Sequence, residues 1–271
     1  MTAAHTQSIR TTDGISLACW RAGSGPPLLL VHGGLCDHLA WHFVVPLLAR
    51  HFSVWTYDRR TRGLSGDSQP YAVELEVQDI LALLTTIGEP THLLGHSAGA
   101  ILSVLAAKET DRLRSLVLYE PPFILEGVRD RPKPELLARI KSLLAAGRPD
   151  DALRLAMRET VGLADAEIDA MQAGPGWEHL RGSARAIPND WEIWEQPFDE
   201  ASIRKIALPT LVITGSDSPQ WIRAAALAVF RALPNAQFAD LHGQGHSAMF
   251  TAPELFTETV ERFLLSQPML S

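Results

Sequence analysis

The pentapeptide Gly95-His96-Ser97-Ala98-Gly99 constrains what this 271-residue chain can fold into more tightly than any other stretch of it. Thr91-His92-Leu93-Leu94 before it is short and largely apolar, and Ala100-Ile101-Leu102-Ser103-Val104-Leu105-Ala106-Ala107 after it reads as a buried helix. A strand that turns directly into a helix brings its last residues against the first helical turn. Both flanking positions then need the smallest side chain, which Gly95 and Gly99 supply. Ser97 stands at the tip, in a sparsely populated backbone conformation, with the helix N-terminus beneath its hydroxyl. That is the posture of a nucleophile.

Strand-like and helix-like stretches alternate along the chain, with strands near 28–32, 53–58, 91–95, 113–119 and 210–215 and helices near 72–87 and 98–109. This rhythm predicts an α/β class fold, a mostly parallel central sheet with helices on both faces. Ser8 to Thr11 and Ile15 to Trp20, joined around Asp13-Gly14, read as an antiparallel hairpin on the sheet's edge. The alternation breaks between about Phe123 and Lys205. No convincing strand is found there, and helical runs go from Pro132 and Pro134 to Ala146, from Pro149 through Val161, and onward from near Asp165.

A hydroxyl is a poor nucleophile at neutral pH, so Ser97 needs a base to take its proton and an acid to orient that base. Leu211 to Asp217 is an apolar strand ending in a polar turn, which places the Asp217 carboxylate at a strand's C-terminal edge. Gln237 to Leu241 reads as another strand, followed by Gly243-Gln244-Gly245-His246 and a helix from about Ala252, so His246 lies on a loop at the same edge. The expected triad is Ser97, Asp217 and His246. Glu120, which also ends a strand, is the rival acid.

With these motifs the chain resembles the α/β-hydrolase fold superfamily, in its serine-nucleophile branch with a helical cap, over nearly its whole length. The resemblance implies an inserted cap over residues 123–205, between core segments 1–122 and 206–271. Leu28-Leu29-Leu30-Val31-His32-Gly33-Gly34 resembles the strand and His-Gly-x loop that helps hold an oxyanion, which implies Gly34 and Ala98 as the N–H donors. Tyr57 to Ser65 resembles a family loop, Asp-x-Arg-Gly-x-Gly-x-Ser, with Thr61 where the first glycine would stand. That departure bears on the shape of the loop and not on the triad.

The function implied is a serine hydrolase cleaving a carboxylic ester or lactone of a small to medium apolar substrate through an acyl-enzyme. The same triad also supports thioesterases and acyl transfer, carbon-carbon hydrolases and perhydrolases. Relatives of this fold that open epoxides or remove halogen use an aspartate where Ser97 stands. A non-catalytic receptor of the same fold is a rival from another class. A carrier-protein enzyme is a third reading, for which Arg59, Arg60 and Arg62 would form the docking surface, although a solvated or salt-bridged loop accounts for them better.

Trp177, Trp191 and Trp194 in the cap, with Phe123 at its start, are the candidate substrate-binding residues. His32 and His96 are expected to order loops. His242 and His246 flank Gly-Gln-Gly, which argues against a helical zinc pair, and neither metal nor cofactor is expected. A net charge of -7 argues against nucleic acid as a partner. Two cysteines, Cys19 and Cys36, make no disulfide framework. Met1 to Ser8 lacks the charged start and apolar segment of an export signal, and no apolar run spans a membrane. A cytoplasmic protein acting on a small molecule, of undetermined oligomeric state, is the expectation.

Overall fold

A computed structural model describes residues 5–67 and 69–267. Met1–Ala4, the start of the segment read above for an export signal, lies outside the described residues. Eight strands form one sheet: β1 His5–Arg10, β2 Ser16–Ala22, β3 Pro27–Val31, β4 Ser53–Tyr57, β5 Thr91–His96, β6 Leu113–Tyr119, β7 Thr210–Gly215 and β8 Ala236–Leu241. Their order across the sheet is β1-β2-β4-β3-β5-β6-β7-β8. The hairpin β1–β2, turning at Gly14, adds antiparallel to β4, and every pairing from β4 to β8 is parallel.

The apolar strands split their side chains by parity between two layers. Leu29, Val31, Leu93, Leu116, Leu118 and Val212 point to one face, packed by α2 Val73–Ile87, α3 Ala98–Ala107 and α10 Gln220–Ala232. Leu28, Leu30, Leu94, Val117, Leu211 and Ile213 point to the other, which α1 Val45–Leu48 and α12 Pro253–Leu265 cover with Trp41 and Phe52. Burial on both faces explains why these strands read as unbroken apolar runs.

Between β6 and β7 the chain is helical: α4 Pro134–Ala145, α5 Pro149–Ala156, α6 Asp165–Ala173, α7 Trp177–Ser183, α8 Ile187–Trp194 and α9 Glu200–Ile203. The run expected through Val161 stops earlier. After Ala156 the chain passes into a π-helical turn, Met157–Val161, closed by Gly162 at φ 87°. This insertion has its own apolar core of Ile140, Leu153, Ile168, Trp177, Ile187 and Trp191. Among the described residues no helix is long and apolar enough to cross a membrane, and Cys19 and Cys36 are free thiols.

The two glycines of the pentapeptide have a direct steric cause. A Cβ on Gly99 would lie 2.3 Å from the Val31 carbonyl oxygen and 2.5 Å from that of His32, and one on Gly95 would lie 2.5 Å from the Gly99 carbonyl oxygen. All three obstacles are backbone held in the sheet or helix. Gly99→Ala is expected to lower stability by roughly 3 kcal/mol. Gly182, exposed in α7 with open space where its Cβ would be, provides the contrast: Gly182→Ala is expected to stabilise by about 0.5–1 kcal/mol. Denaturant midpoints of the two variants check both signs.

His92, buried in β5, has Nδ1 2.7 Å from the Ser115 hydroxyl. Burial, and after it the charge of Arg114, lowers its pKa to about 4. The unfolded chain binds this proton near pH 6.5 or so, so stability is complete above that value and is lost as pH falls toward about 4. His32 and His96, also lowered by burial, act in the same direction. A melting temperature that falls across this window is expected, with a shallower slope in His92→Gln; a flat profile would contradict it.

Candidate active site

Ser97 occupies the bend between β5 and α3 at φ 54°, ψ -125°, a left-handed conformation that side chains rarely adopt. Its N–H donates to the Tyr119 carbonyl at 2.9 Å, which pins the bend to the end of β6. The hydroxyl has no hydrogen-bond partner among the described residues, and Ser97 lines a cavity of about 540 Å³ together with His246.

The loop carrying His246 is fixed from below. His96 Nε2 lies 2.8 Å from the His246 carbonyl oxygen, and the Tyr119 hydroxyl donates to the Gly245 carbonyl while accepting from the Ala248 N–H. Burial, then the neighbouring His246, holds His96 well below its ordinary pKa, so its ring is neutral and donates through Nε2. His96 thus orders a loop, as the sequence predicts.

The carboxylate that meets His246 is not the expected one. His246 Nδ1 lies 2.5 Å from Glu120 Oε2, whereas Asp217 is exposed and accepts from the Ser216 hydroxyl at 2.8 Å. The end of β7 does not present an acid to the histidine. It presents donors to Glu120 instead: the Thr214 hydroxyl at 2.9 Å and the Gly215 N–H at 2.7 Å both bond Oε1. Glu120 itself sits at φ 49°, a strained turn at the end of β6 that directs the carboxylate across to β7 and the His246 loop. Burial opposes its ionisation, yet the hydrogen bond and charge of His246 and the Gly215 N–H hold its carboxyl below the usual carboxylate value. With Nδ1–H donating to this carboxylate, Nε2 is left with its lone pair and can accept a proton.

The Gly34 and Ala98 N–H groups make no hydrogen bond among the described residues. The loop carrying Gly34 is held by buried polar groups. His32 Nδ1 donates to the Gly33 carbonyl at 2.9 Å, and its Nε2 accepts from the Arg59 N–H at 3.0 Å. Burial and the Arg59 and Arg62 charges keep this ring neutral, so His32 is also a loop-ordering residue. Arg59 Nη1 donates to the Gly33 carbonyl at 3.1 Å, and Asp190, on α8 of the insertion, accepts from the Leu35 N–H at 3.2 Å.

Asp190 belongs to a buried charge cluster, the salt-bridged reading of the arginine loop, whose acidic partners the sequence left unassigned. Arg59 forms a two-bond pair with Glu76 at 2.7 and 2.8 Å and reaches Asp190 at 3.3 Å; Arg62 also bonds Asp190. Arg60 pairs with Asp79 at 2.7 and 2.8 Å and with Asp13. All three arginines are essentially inaccessible, so they form no docking surface for a carrier protein. Thr61, in the glycine position of this loop, keeps the left-handed φ of 70°. Its hydroxyl donates to Asp67 and accepts from Asn189 of α8, at 3.0 and 2.9 Å, contacts a glycine would lack.

Of the four candidate substrate-binding aromatics only Trp194 lines the cavity. Phe123 packs edge-on to Phe198 in the core, Trp177 donates to Asp150, and Trp191 donates to Glu195 from the insertion's interior. The other walls include Ile124, Arg129, Leu163, Trp221 and Ile222. Asp37, His38 and Asp58 bring three possible metal-ligating atoms within 4.8 Å of one another. They are engaged within the protein: Asp58 accepts from the His38 ring and N–H and from the Leu64 N–H, and Asp37 caps Leu39.

A strained serine on a strand-to-helix bend, facing a cavity with a carboxylate-bound histidine, defines a class of α/β hydrolase. The chain belongs to the alpha/beta hydrolase family, whose model matches residues 28–259. It is 29% identical over 261 residues to pyrrolizixenacetamide deacetylase of Xenorhabdus hominickii, across 90% of this chain and 93% of that one. It is 25% identical over 258 residues to pimeloyl-(acyl-carrier protein) methyl ester esterase of Aeromonas hydrophila, across 92% and 100%. An alpha/beta hydrolase from Sphaerobacter thermophilus, solved by crystallography, superposes with a TM-score of 0.89 at 36% identity, covering 95% of this chain and 100% of that one. The protein is an enzyme, a hydrolase.

Proposed function

We propose that the enzyme hydrolyses a carboxylic ester or lactone of small to medium size through an acyl-enzyme on Ser97. The observation that carries this reading is the His246 Nδ1 to Glu120 bond beside an uncommitted Ser97 hydroxyl in one cavity. Ser97 Oγ attacks the carbonyl carbon while His246 Nε2 takes its proton, and Glu120 stabilises the resulting imidazolium. The carbonyl oxygen becomes an oxyanion between the Gly34 and Ala98 N–H groups, each such donor contributing about 3 kcal/mol. His246 then passes its proton to the leaving alcohol, which departs as the carbonyl re-forms. In the second half His246 deprotonates water, the hydroxide adds to the acyl carbon, and collapse returns the proton to Ser97 with release of the acid.

The helical insertion acts as a cap, since it supplies Leu163 and Trp194 to the walls around the acyl position. The deacetylase relative favours adding amides to the bonds tested. A panel of chromogenic esters, lactones, thioesters and anilides separates the bond classes. Esters and lactones are expected to turn over fastest, and an organophosphonate is expected to stop all turnover in proportion to its labelling. A panel in which neither esters nor lactones react would reject the reading.

A further inference from the structure

Arg129, on the loop between β6 and α4, lines the cavity shared by Ser97 and His246. Its Nη2 donates to the Thr160 carbonyl in the π-helical turn, and its guanidinium carbon lies 3.7 Å from the ring centre of Trp221 on α10. Its Nη1 is buried and bonds to nothing among the described residues. The three fully buried arginines of the charge cluster all rest on carboxylates, but among the described residues Arg129 forms no ion pair. Burial alone acts on its pKa and lowers it, with no anion to raise it back.

A guanidinium cannot shed its proton near neutrality, so a half-buried one without a counter-ion carries an uncompensated desolvation cost unless an anion arrives. Its place here is held by stacking on Trp221 and by one carbonyl, which fix the plane and leave donors over. The lining of the cavity that it shares with Ser97 is largely apolar and includes Pro122, Ile124 and Leu163. That suits a hydrocarbon spacer joining a scissile carbonyl to an anionic end. Glu167, bonded to the Ala164 N–H, also lines the cavity, and its charge opposes a doubly charged group such as phosphate more than a singly charged one.

We propose that Arg129 is the subsite for a single carboxylate carried by the substrate, so that the natural substrate is an ester or lactone of a carboxy-acid. This rests on Ser97 and His246 being the hydrolytic pair. The test compares mono-4-nitrophenyl adipate with 4-nitrophenyl hexanoate as the ratio of their kcat/KM values. Arg129→Met is expected to lower this ratio roughly 10- to 100-fold, mostly through KM for the acidic ester, and Arg129→Lys to lower it less. An unchanged ratio in a folded Arg129→Met enzyme would overturn the proposal. A binding arm is independent of turnover: monomethyl adipate is titrated calorimetrically into Ser97→Ala and into Ser97→Ala combined with Arg129→Met. Binding only to the former supports the subsite, and equal binding to both overturns it. Loss of all ester turnover in the wild-type enzyme would instead strike the hydrolytic reading and leave this arm to decide on Arg129.

Discussion

Glu120→Gln is expected to lower kcat for ester hydrolysis by about 10⁴-fold, while Asp217→Asn leaves it within about threefold. The contrast follows from what each carboxylate touches. Glu120 Oε2 receives His246 Nδ1–H, and its other oxygen is held by the Thr214 hydroxyl and the Gly215 N–H. A glutamine of the same shape fills the site but offers an amide. Its NH₂ facing Nδ1 favours the tautomer with the proton on Nε2, the atom that must accept from Ser97, and the imidazolium formed during attack loses its anionic partner. Asp217 is exposed on the turn after β7, and among the described residues its side chain bonds only its neighbour's hydroxyl. Steady-state kinetics of both variants on one chromogenic ester decide the matter. Equal losses, or a loss confined to Asp217→Asn, would return the acid to β7.

The second large effect is expected at Asp190. Asp190→Ala removes the anion that faces Arg59 and Arg62 in a site closed to water, with the Asp190 side chain about 1% exposed. Glu76 alone is then left for two guanidinium groups. Breaking a buried pair from one side costs about 3–5 kcal/mol, and this substitution is expected at that scale in chemical denaturation. It also releases the Leu35 N–H, beside the Gly34 donor. Asp190→Asn retains an acceptor for Leu35 but not the charge, so it is expected to recover part of the activity without recovering the stability. A cluster whose loss costs under about 1 kcal/mol would behave as a surface pair and contradict the buried geometry.

How far the sequence reveals this depends on whether a residue's role is set locally. The bend at Ser97, the hairpin at Gly14 and the parallel strands were legible, because Gly spacing, turn chemistry and unbroken apolar runs are local properties. The acid was not. Glu120 and Asp217 each end a strand, and what separates them is a backbone φ and two donors contributed by β7, 94 and 95 residues away in sequence from Glu120. Arg59, Arg60 and Arg62 read as a solvated or salt-bridged loop, and which of the two does not show locally since their partners Asp13, Glu76, Asp79 and Asp190 are scattered along the chain. A signal did exist: Glu76 and Asp79 fall on the stripe of α2 that also carries Val73, Val77, Ile80 and Leu83, and acids on a buried stripe require cations opposite. The tryptophans carried no such signal. Trp177 and Trp191 turn into the insertion's core, while Trp221 on α10 reaches the cavity from outside the insertion.

The nucleophile can be caught in the act. The enzyme, mixed with a slowly released chromogenic ester and quenched in acid during turnover, is digested and its peptides weighed. The account predicts one added acyl group on the peptide containing Ser97 in the wild-type enzyme and none in Ser97→Ala. An acyl group on any other residue, or hydrolysis by Ser97→Ala at the wild-type rate, would contradict it.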